Sequence, residues 1–279
     1  MLKKIKIGTS GFSFSDWKGV LYPEKIPNHR MLEFYAKYLG FNAVEINSTY
    51  YRIPSPKSFE LMAKKTPPDF SFSVKAFKGI THDPFDNRME EKPDMAQIET
   101  YFKQFNESIM FLKEAEKLGA LLFQFPVFFY PQSSTMDYIL KIRDFFSDFP
   151  VVIEFRNIAW AQEKYYEFLR KNTIAFCAVY EPKLPRLLPL VDVVTAKIGY
   201  LRCHGRNPNW FNAPVSERYN YNYSDQELKE IERVVRSMIE KAEVSFIFFN
   251  NCHAGHAAKN AMKFAELLGI ELQKEKDLF

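Results

Sequence analysis

Residues 41–51 read Phe-Asn-Ala-Val-Glu-Ile-Asn-Ser-Thr-Tyr-Tyr, and this stretch places a carboxylate inside an otherwise apolar strand pattern. Successive side chains of a strand point to opposite faces, so Val44 and Ile46 share one face. Glu45 and Asn47 share the other. A carboxylate in a buried strand costs free energy unless it is paired or used. The stretch therefore predicts a strand whose polar face has a function.

Alternation with the same period of two recurs along the chain and predicts further strands. These are expected at residues 5–8, 70–77, 121–126, 151–156, 174–180, 199–205 and 245–250. Helices are expected at residues 31–39, 56–65, 93–118, 134–146, 161–171 and 224–241, with a last one ending near residue 268. Residues 181–197 contain three prolines and predict an irregular crossing. Eight strands, each followed by a helical segment, predict an α/β fold, a single (β/α)8 TIM-type barrel in one domain over residues 1–279.

In such a barrel the carboxyl ends of all strands meet at one mouth, where polar residues usually bind ligands or perform chemistry. The expected catalytic residues are Glu45, Lys75, Glu154 and His204. Two carboxylates, an amine and an imidazole can exchange protons with a substrate. The expected substrate-binding residues are Ser10, Trp17, Asn47, Gln124, Arg156, Arg202 and Asn250.

An anion is the first expectation for the ligand, because Lys75, Arg156 and Arg202 would share one mouth. Arginine can hold a phosphate or a carboxylate with two parallel hydrogen bonds. We therefore expect an acid–base enzyme, of hydrolase or isomerase type, with a small phosphorylated or sugar-like substrate. The structural alternative is a buried charge network in which these groups only neutralise one another, although buried ion pairs are poor sources of net stability.

A metal site is a competing interpretation of the same residues. His204, Glu45 and Glu154 could hold a metal ion together with a further histidine. Those further histidines are His82, His253 and His256. The sequence lacks a closely spaced histidine pair of the His-Glu-x-x-His type, so no metal and no other cofactor is expected.

Nucleic acid binding is a second alternative, in which aromatic side chains stack on bases and the cations of the mouth contact phosphates. The aromatic candidates are Trp17, Tyr22, Phe85 and Trp210. The chain has 38 basic and 34 acidic residues, a net charge of +4, which permits a phosphate-bearing partner without requiring one. The modest charge favours the small-substrate enzyme.

Composition also bears on packing and location. The 28 Phe and 15 Tyr residues exceed what core packing alone usually requires, and they could line a binding surface. For most of them a compositional bias of the organism is the favoured interpretation. The three cysteines are expected to be reduced thiols, with Cys177 and Cys203 facing the helices and Cys252 more exposed. No apolar stretch is long enough for a membrane span, and no signal region is evident, so a cytoplasmic location is expected. The oligomeric state stays open.

Motifs spread over the chain resemble the family called domain of unknown function 72. They are Gly8-Thr9-Ser10-Gly11, Trp17-Lys18-Gly19, Tyr22-Pro23, residues 44–51, Thr66-Pro67, Lys75, Thr81-His82, Gln124-Phe125-Pro126, Glu154-Phe155-Arg156, Arg202-Cys203-His204-Gly205 and Phe249-Asn250-Asn251. The match runs in order from about residue 5 to residue 268.

This resemblance implies a TIM-type barrel with a polar site at the strand ends, and it supplies no established reaction. Barrels of this family are often compared with those of endonuclease IV-like enzymes, which raises a phosphoesterase as a further alternative. Cys252 and His253 stand where an acidic residue often follows the Asn pair, which argues against a site with several metals.

Overall fold

The computed structural model describes residues 4–208 and 214–275, and it contains an eight-stranded parallel sheet. The strands are β1 (Lys4–Thr9), β2 (Ala43–Ile46), β3 (Ser71–Lys75), β4 (Leu118–Gln124), β5 (Val151–Glu154), β6 (Ala175–Tyr180), β7 (Ile198–Cys203) and β8 (Val244–Phe249). They pair in the order β1-β8-β7-β6-β5-β4-β3-β2, so each ladder joins strands that are neighbours in sequence or joins the first strand to the last. The predicted TIM-type barrel is confirmed.

Helices follow most of the strands. They are α1 (Met31–Lys37), α2 (Pro56–Lys64), α3 (Lys78–Thr81), α4 (Met95–Glu114), α5 (Ser133–Phe145), α6 (Glu163–Lys171), α7 (Val215–Arg218), α8 (Asp225–Lys241) and α9 (His256–Leu267). Residues 181–197 run from β6 to β7 without a helix, which confirms the predicted irregular crossing. The broader expectation of a helical segment after every strand is wrong at this point. Proline fixes φ and removes a backbone donor, which explains the irregular crossing. Within the described residues no helix is both long and apolar enough to cross a membrane.

Local caps set the helix ends. The predicted helix at residues 93–118 begins only at Met95, because the Asp94 side chain accepts a hydrogen bond from the Gln97 N–H at 2.8 Å. Helix α8 begins with a capping box, in which Glu227 Oε2 accepts from the Ser224 N–H at 2.9 Å. The Ser-x-x-Glu spacing predicts this cap from sequence alone.

Between β1 and β2 the barrel is closed mainly by hydrogen bonds from side chains, not by a backbone ladder, and we call this junction the seam. Among the described residues, the two strands share one isolated bridge, between Ser10 and Glu45. The side chain of Asn42, just before β2, makes hydrogen bonds to the backbone of β1 in place of a ladder. Its Oδ1 accepts from the Ile7 N–H at 2.8 Å, and its Nδ2 donates to the Ile5 carbonyl at 3.0 Å.

Tyr35 of α1 bridges the same seam further along. Its hydroxyl accepts from the Thr9 N–H at 2.8 Å and donates to the Ala43 carbonyl at 3.0 Å. Gly8 is required beside it, because a Cβ there would lie 2.0 Å from the Ala43 carbonyl oxygen. The first and second strands therefore approach too closely for a side chain and are joined through a buried tyrosine.

Aromatic rings fill the space outside β4 and β5. Phe125 stacks on Phe129 and Phe155 stacks on Trp160, each pair with ring centroids 4.0 Å apart. Phe129 and Trp160 join the two pairs at 5.6 Å. All four side chains are buried. The cluster is part of the hydrophobic core and holds the ends of two strands that contribute to the mouth.

Replacing Tyr35 by Phe is expected to destabilise the protein, because the buried Thr9 N–H and Ala43 carbonyl lose their shared partner. Leaving such groups unsatisfied costs about 1–3 kcal/mol, which urea unfolding at pH 7 would measure. Tyr130→Phe is the control, since Tyr130 is exposed and its variant should unfold like the wild type. Equal midpoints for the two variants would show that the Tyr35 hydroxyl does not close the barrel.

Candidate active site at the barrel mouth

Arg202 of β7 lies at the centre of the mouth and joins the carboxylates of two other strands. Its Nη2 donates to Glu45 Oε1 at 2.6 Å, and its Nε reaches the same atom at 3.1 Å. Its Nη1 donates to Glu154 Oε2 at 2.7 Å. All three side chains are buried, Arg202 being 1% exposed. The guanidinium therefore supplies the partner that the buried Glu45 of the quoted stretch requires.

Arg156 extends this pairing to a third carboxylate. Its Nε donates to Glu154 Oε1 at 2.5 Å, and its Nη1 donates to Glu181 Oε2 at 2.7 Å. Burial alone would raise the pKa of Glu154, but Arg202 and Arg156 outweigh it and hold that pKa well below its usual range. Burial raises the pKa of Glu181 to about 7, although Arg156 pulls it down. Glu154 is therefore ionised at neutral pH and pairs with two arginines.

A second layer of hydrogen bonds orients the carboxylates from below. The Tyr200 hydroxyl donates to Glu45 Oε2 at 2.7 Å, and Ser73 Oγ lies 2.7 Å from the same hydroxyl. Cys177 Sγ lies 3.7 Å from Glu154 Oε2, so this thiol points into the barrel. The expectation that Cys177 faces the helices is therefore wrong. Cys252 is also buried, contrary to expectation, at 8% exposure.

A cavity of about 350 Å³ lies above the ion pairs and is strongly basic. Four cationic side chains contribute to its lining, namely Lys75, Arg156, Arg202 and Arg218. Among the described residues, no carboxylate lines it. The acidic partners of Arg156 and Arg202 lie below these two side chains. Among the described residues, the charged side chains that line the cavity are therefore all basic. This arrangement favours an anionic ligand.

Lys75 of β3 presents its amine to this cavity. Its Nζ donates to Gln124 Oε1 at 2.8 Å and lies 4.3 Å from the ring centre of Tyr50. Among the described residues no carboxylate oxygen lies within 4 Å of the amine. Burial, followed by the charge of Arg202, lowers the pKa of Lys75 to about 7. The amine can therefore exist in both protonation states near neutral pH.

Two histidines flank the site, and both are neutral. His204 is fully buried between Arg156 Nη2, 3.0 Å from its Nε2, and Asn250 Nδ2, 2.9 Å from its Nδ1. Burial, followed by Arg156, lowers its pKa well below the ordinary value. Burial and Lys75 lower the pKa of His82 to about 3. His82 lines the cavity, whereas His204 lies outside the lining and contacts Glu154, at 3.3 Å, as well as Arg156 and Asn250.

Most of the residues predicted for the site converge at the mouth. Asn47, Lys75, Gln124, Arg156, Arg202 and Asn250 line the basic cavity, and Glu45, Glu154 and His204 lie directly beneath it. Ser10 is 3% exposed and lies beside the cavity at the seam. Trp17 does not reach the cavity, because it is fully buried and its indole N–H donates to the Cys252 carbonyl at 2.7 Å. The prediction that Trp17 contacts the substrate is therefore wrong in this structure.

Further residues of the site were not predicted for it, among them Tyr50, Glu181 and Arg218. Glu181 directly follows β6, so the rule that strand ends face the mouth would have found it. Tyr50 lies within the quoted stretch but beyond the strand alternation. Arg218 is the last residue of the short helix α7 and carries no sequence signal of its role.

Two aromatic residues on which the nucleic-acid alternative depends are not available for stacking. Trp17 and Tyr22 are buried, at 0% and 2% exposure. Phe85 is partly buried and packs edge-on against Phe129 at 4.7 Å. Trp210 lies outside the described residues. The structure thus contradicts the expectation that Trp17 and Tyr22 stack on bases.

The donor set of the mouth does not fit a metal ion. Among the described residues, no three His, Cys, Asp or Glu side chains are arranged to hold one. Glu45 and Glu154 direct their oxygens to arginines, and His204 Nε2 faces a guanidinium. A cation placed among these groups would compete with charges that are already paired.

Comparisons with known proteins agree with this architecture. The pattern described as "Protein of unknown function DUF72" matches residues 6–278. The UPF0759 protein YunF of Bacillus subtilis is 29% identical over 295 residues, covering 99% of this chain and 100% of YunF. A DUF72 family protein from Thermotoga maritima is 40% identical with a TM-score of 0.85, covering 95% of this chain and 99% of that one.

A more distant solved structure shares only the fold. It is a xylose isomerase-like TIM barrel protein from Mycobacterium smegmatis in complex with magnesium, 10% identical with a TM-score of 0.51. The match covers 96% of this chain and 97% of that chain. At this identity the similarity supports the barrel and says nothing about shared chemistry.

Replacing Glu154 by Gln is expected to cost about 3–5 kcal/mol of unfolding free energy, because two buried guanidiniums lose a common partner. Urea unfolding at pH 7 would measure the loss. Glu60→Gln is the control, since Glu60 pairs with Lys64 on an exposed helical surface and should change stability little. A Glu154 variant as stable as this control would contradict the network described above.

Lys75 should impose a pH dependence on stability. Its pKa is about 7 in the folded protein against an ordinary value of 10.5, so the unfolded chain binds more protons between these values. Burial of the charged amine lowers the free energy of unfolding by its full amount below about pH 7. This loss becomes smaller as the pH rises toward 10.5. Stability of the wild type relative to Lys75→Met should therefore increase between pH 7 and pH 10, as urea unfolding would show. A constant difference would contradict the lowered pKa.

Proposed function

The chain belongs to the family described as protein of unknown function DUF72, and on that premise we propose that it is an enzyme that transfers a proton on a small anionic substrate. The observation that carries the proposal is the lining of the mouth, where cations face a cavity of about 350 Å³ and their acidic partners lie beneath it. Small-molecule sites commonly have this volume and a few convergent polar groups.

Arg156 and Arg218 are positioned to hold the anion. Arg156 is 8% exposed, lines the cavity and is fixed by two carboxylates and a histidine. A guanidinium held in this way need not reorganise when the ligand arrives, which favours electrostatic stabilisation of developing negative charge. The amides of Asn47, Gln124 and Asn250 can hold hydroxyl or carbonyl groups of a sugar-like substrate.

Lys75 is the group that would move the proton. A general base works best when its pKa is near the working pH, and the pKa of Lys75 is about 7. The neutral amine would take a proton from a substrate C–H or O–H group, leaving the electron pair on the substrate beside Arg156 and Arg202. The resulting ammonium would return the proton at another substrate atom.

Glu45 and Glu154 take a different role from the one expected from sequence. Both are fully buried and bonded to arginines, and the pKa of Glu154 is held low, so neither is suited to exchange protons with a substrate. They are positioning residues that orient Arg202 and Arg156. Since no carboxylate faces the cavity among the described residues, the geometry supports proton transfer of the isomerase type over hydrolysis by a carboxylate pair.

Lys75→Met is expected to abolish the chemistry while the barrel stays folded. A thermal-shift panel of phosphosugars, sugar acids, nucleotides and short oligonucleotides would first identify an anion that stabilises the wild type. Proton exchange into that anion in D₂O, followed by NMR, would then report proton transfer, and we expect it in the wild type and not in Lys75→Met. Lys78→Met is the matched control, because Lys78 pairs with Asp83 outside the cavity.

Two results would contradict the proposal. Equal ligand response and equal exchange in the wild type and Lys75→Met would show that the amine has no role. Stabilisation by oligonucleotides alone, with binding that falls steeply as salt increases, would instead favour a nucleic-acid-binding protein.

A further inference from the structure

The mouth contains a second cavity of about 500 Å³ that shares wall residues with the basic one. The shared wall is formed by Asn47, Tyr51, Tyr219 and Asn250. We propose that the substrate is an anion that carries a flat apolar group, with the anion in the basic cavity and the flat group in the second. This inference rests on the proposed function, because it assumes that the basic cavity receives the anion.

The second cavity differs from the first in chemistry. Its walls include Phe12, Phe14, Ile46 and Met62. Among the described residues, no Asp, Glu, Lys, Arg or His lines it. A sugar phosphate would leave these apolar walls in contact with water, whereas an aromatic ring would bury them favourably. The contrast between adjoining cavities matches a ligand with one charged and one apolar end.

The apolar wall is held in a fixed position. Phe14 packs against Trp17 with ring centroids 4.9 Å apart. Gly11 has φ of +106°, and a Cβ there would lie 2.8 Å from Phe14 Cζ, so the ring lies directly over the glycine. Trp17 thus supports the wall from behind without contacting a ligand. A preformed wall favours binding because little side-chain freedom is lost.

Tyr51 stands at the junction of the two cavities with a largely uncovered ring. It is 73% exposed, which is unusual for a large aromatic side chain. Its ring packs edge-on against Tyr50 at 5.0 Å, and Tyr50 in turn lies beneath the Lys75 amine. Its position is therefore fixed on one side, and its exposed surface is available to stack on a flat group next to the anion.

Two buried polar atoms mark the same junction. Ser10 Oγ and Asn47 Oδ1 are buried without a hydrogen-bond partner among the described residues. Ser10 is 3% exposed, and both residues line the second cavity. Buried polar groups are normally hydrogen-bonded, so these atoms indicate where a polar atom of the ligand belongs. The ligand would therefore have a polar link between its anionic and flat parts.

Matched pairs of ligands test this inference. Calorimetry would compare inorganic phosphate with phenyl phosphate, and acetate with phenylacetate, on the wild type. Burial of a phenyl ring should tighten binding by about tenfold or more within at least one pair. Tyr51→Ala should reduce this ratio of dissociation constants toward one, whereas Tyr51→Phe should preserve it because the ring remains. Tyr130→Ala should also preserve it, since Tyr130 is exposed and lies outside both linings.

The outcomes separate this inference from the proposed function. Phosphate or acetate could bind, with weaker binding in Lys75→Met, while the phenyl ring adds no affinity. That result would exclude the flat group and leave the anionic site in place. A gain in affinity from the phenyl ring that is equally large in Tyr51→Ala would also overturn the inference. If no member of either pair binds the wild type, both proposals fail.

Discussion

The pairing of Arg202 with two buried carboxylates is the interaction on which the mouth of this barrel depends. Glu45 and Glu154 come from β2 and β5, and Arg202 from β7, so one guanidinium joins three strands. Neither carboxylate could remain charged in the barrel without such a partner, because the cost of removing an ion from water is several kcal/mol. Arg156 and Glu181 extend the pairing to the end of β6.

This network reconciles two interpretations that the sequence presents as alternatives. The charges do neutralise one another, as a purely structural network would. They are also layered, with the acidic groups below and the basic groups facing the cavity. A layered network keeps every buried charge paired and at the same time holds the cations in fixed positions beside the cavity. The carboxylates therefore position the arginines, and Lys75 lines the cavity with a pKa of about 7.

The seam between β1 and β2 lies directly next to the second cavity. Side chains of Tyr35 and Asn42 replace most of the missing ladder there. Ser10 and Asn47, which follow these two strands, line the apolar cavity directly above the seam. The strand pair with the fewest backbone hydrogen bonds thus lies next to the proposed subsite for the flat group.

The pattern of residues along the chain predicts the barrel, the strand ends that meet at its mouth, and most of the polar residues found there. Period-two alternation carries this information because it assigns each side chain to a face of the sheet. Which groups pair, which are buried and which face the cavity depend instead on how the strands pack in three dimensions. Arg202 and Glu45 are 157 residues apart, and no local pattern encodes a contact across the barrel. Burial and neighbouring charges set the pKa of Lys75, and neighbouring side chains enclose Trp17. Both effects depend on packing between segments that are distant in sequence.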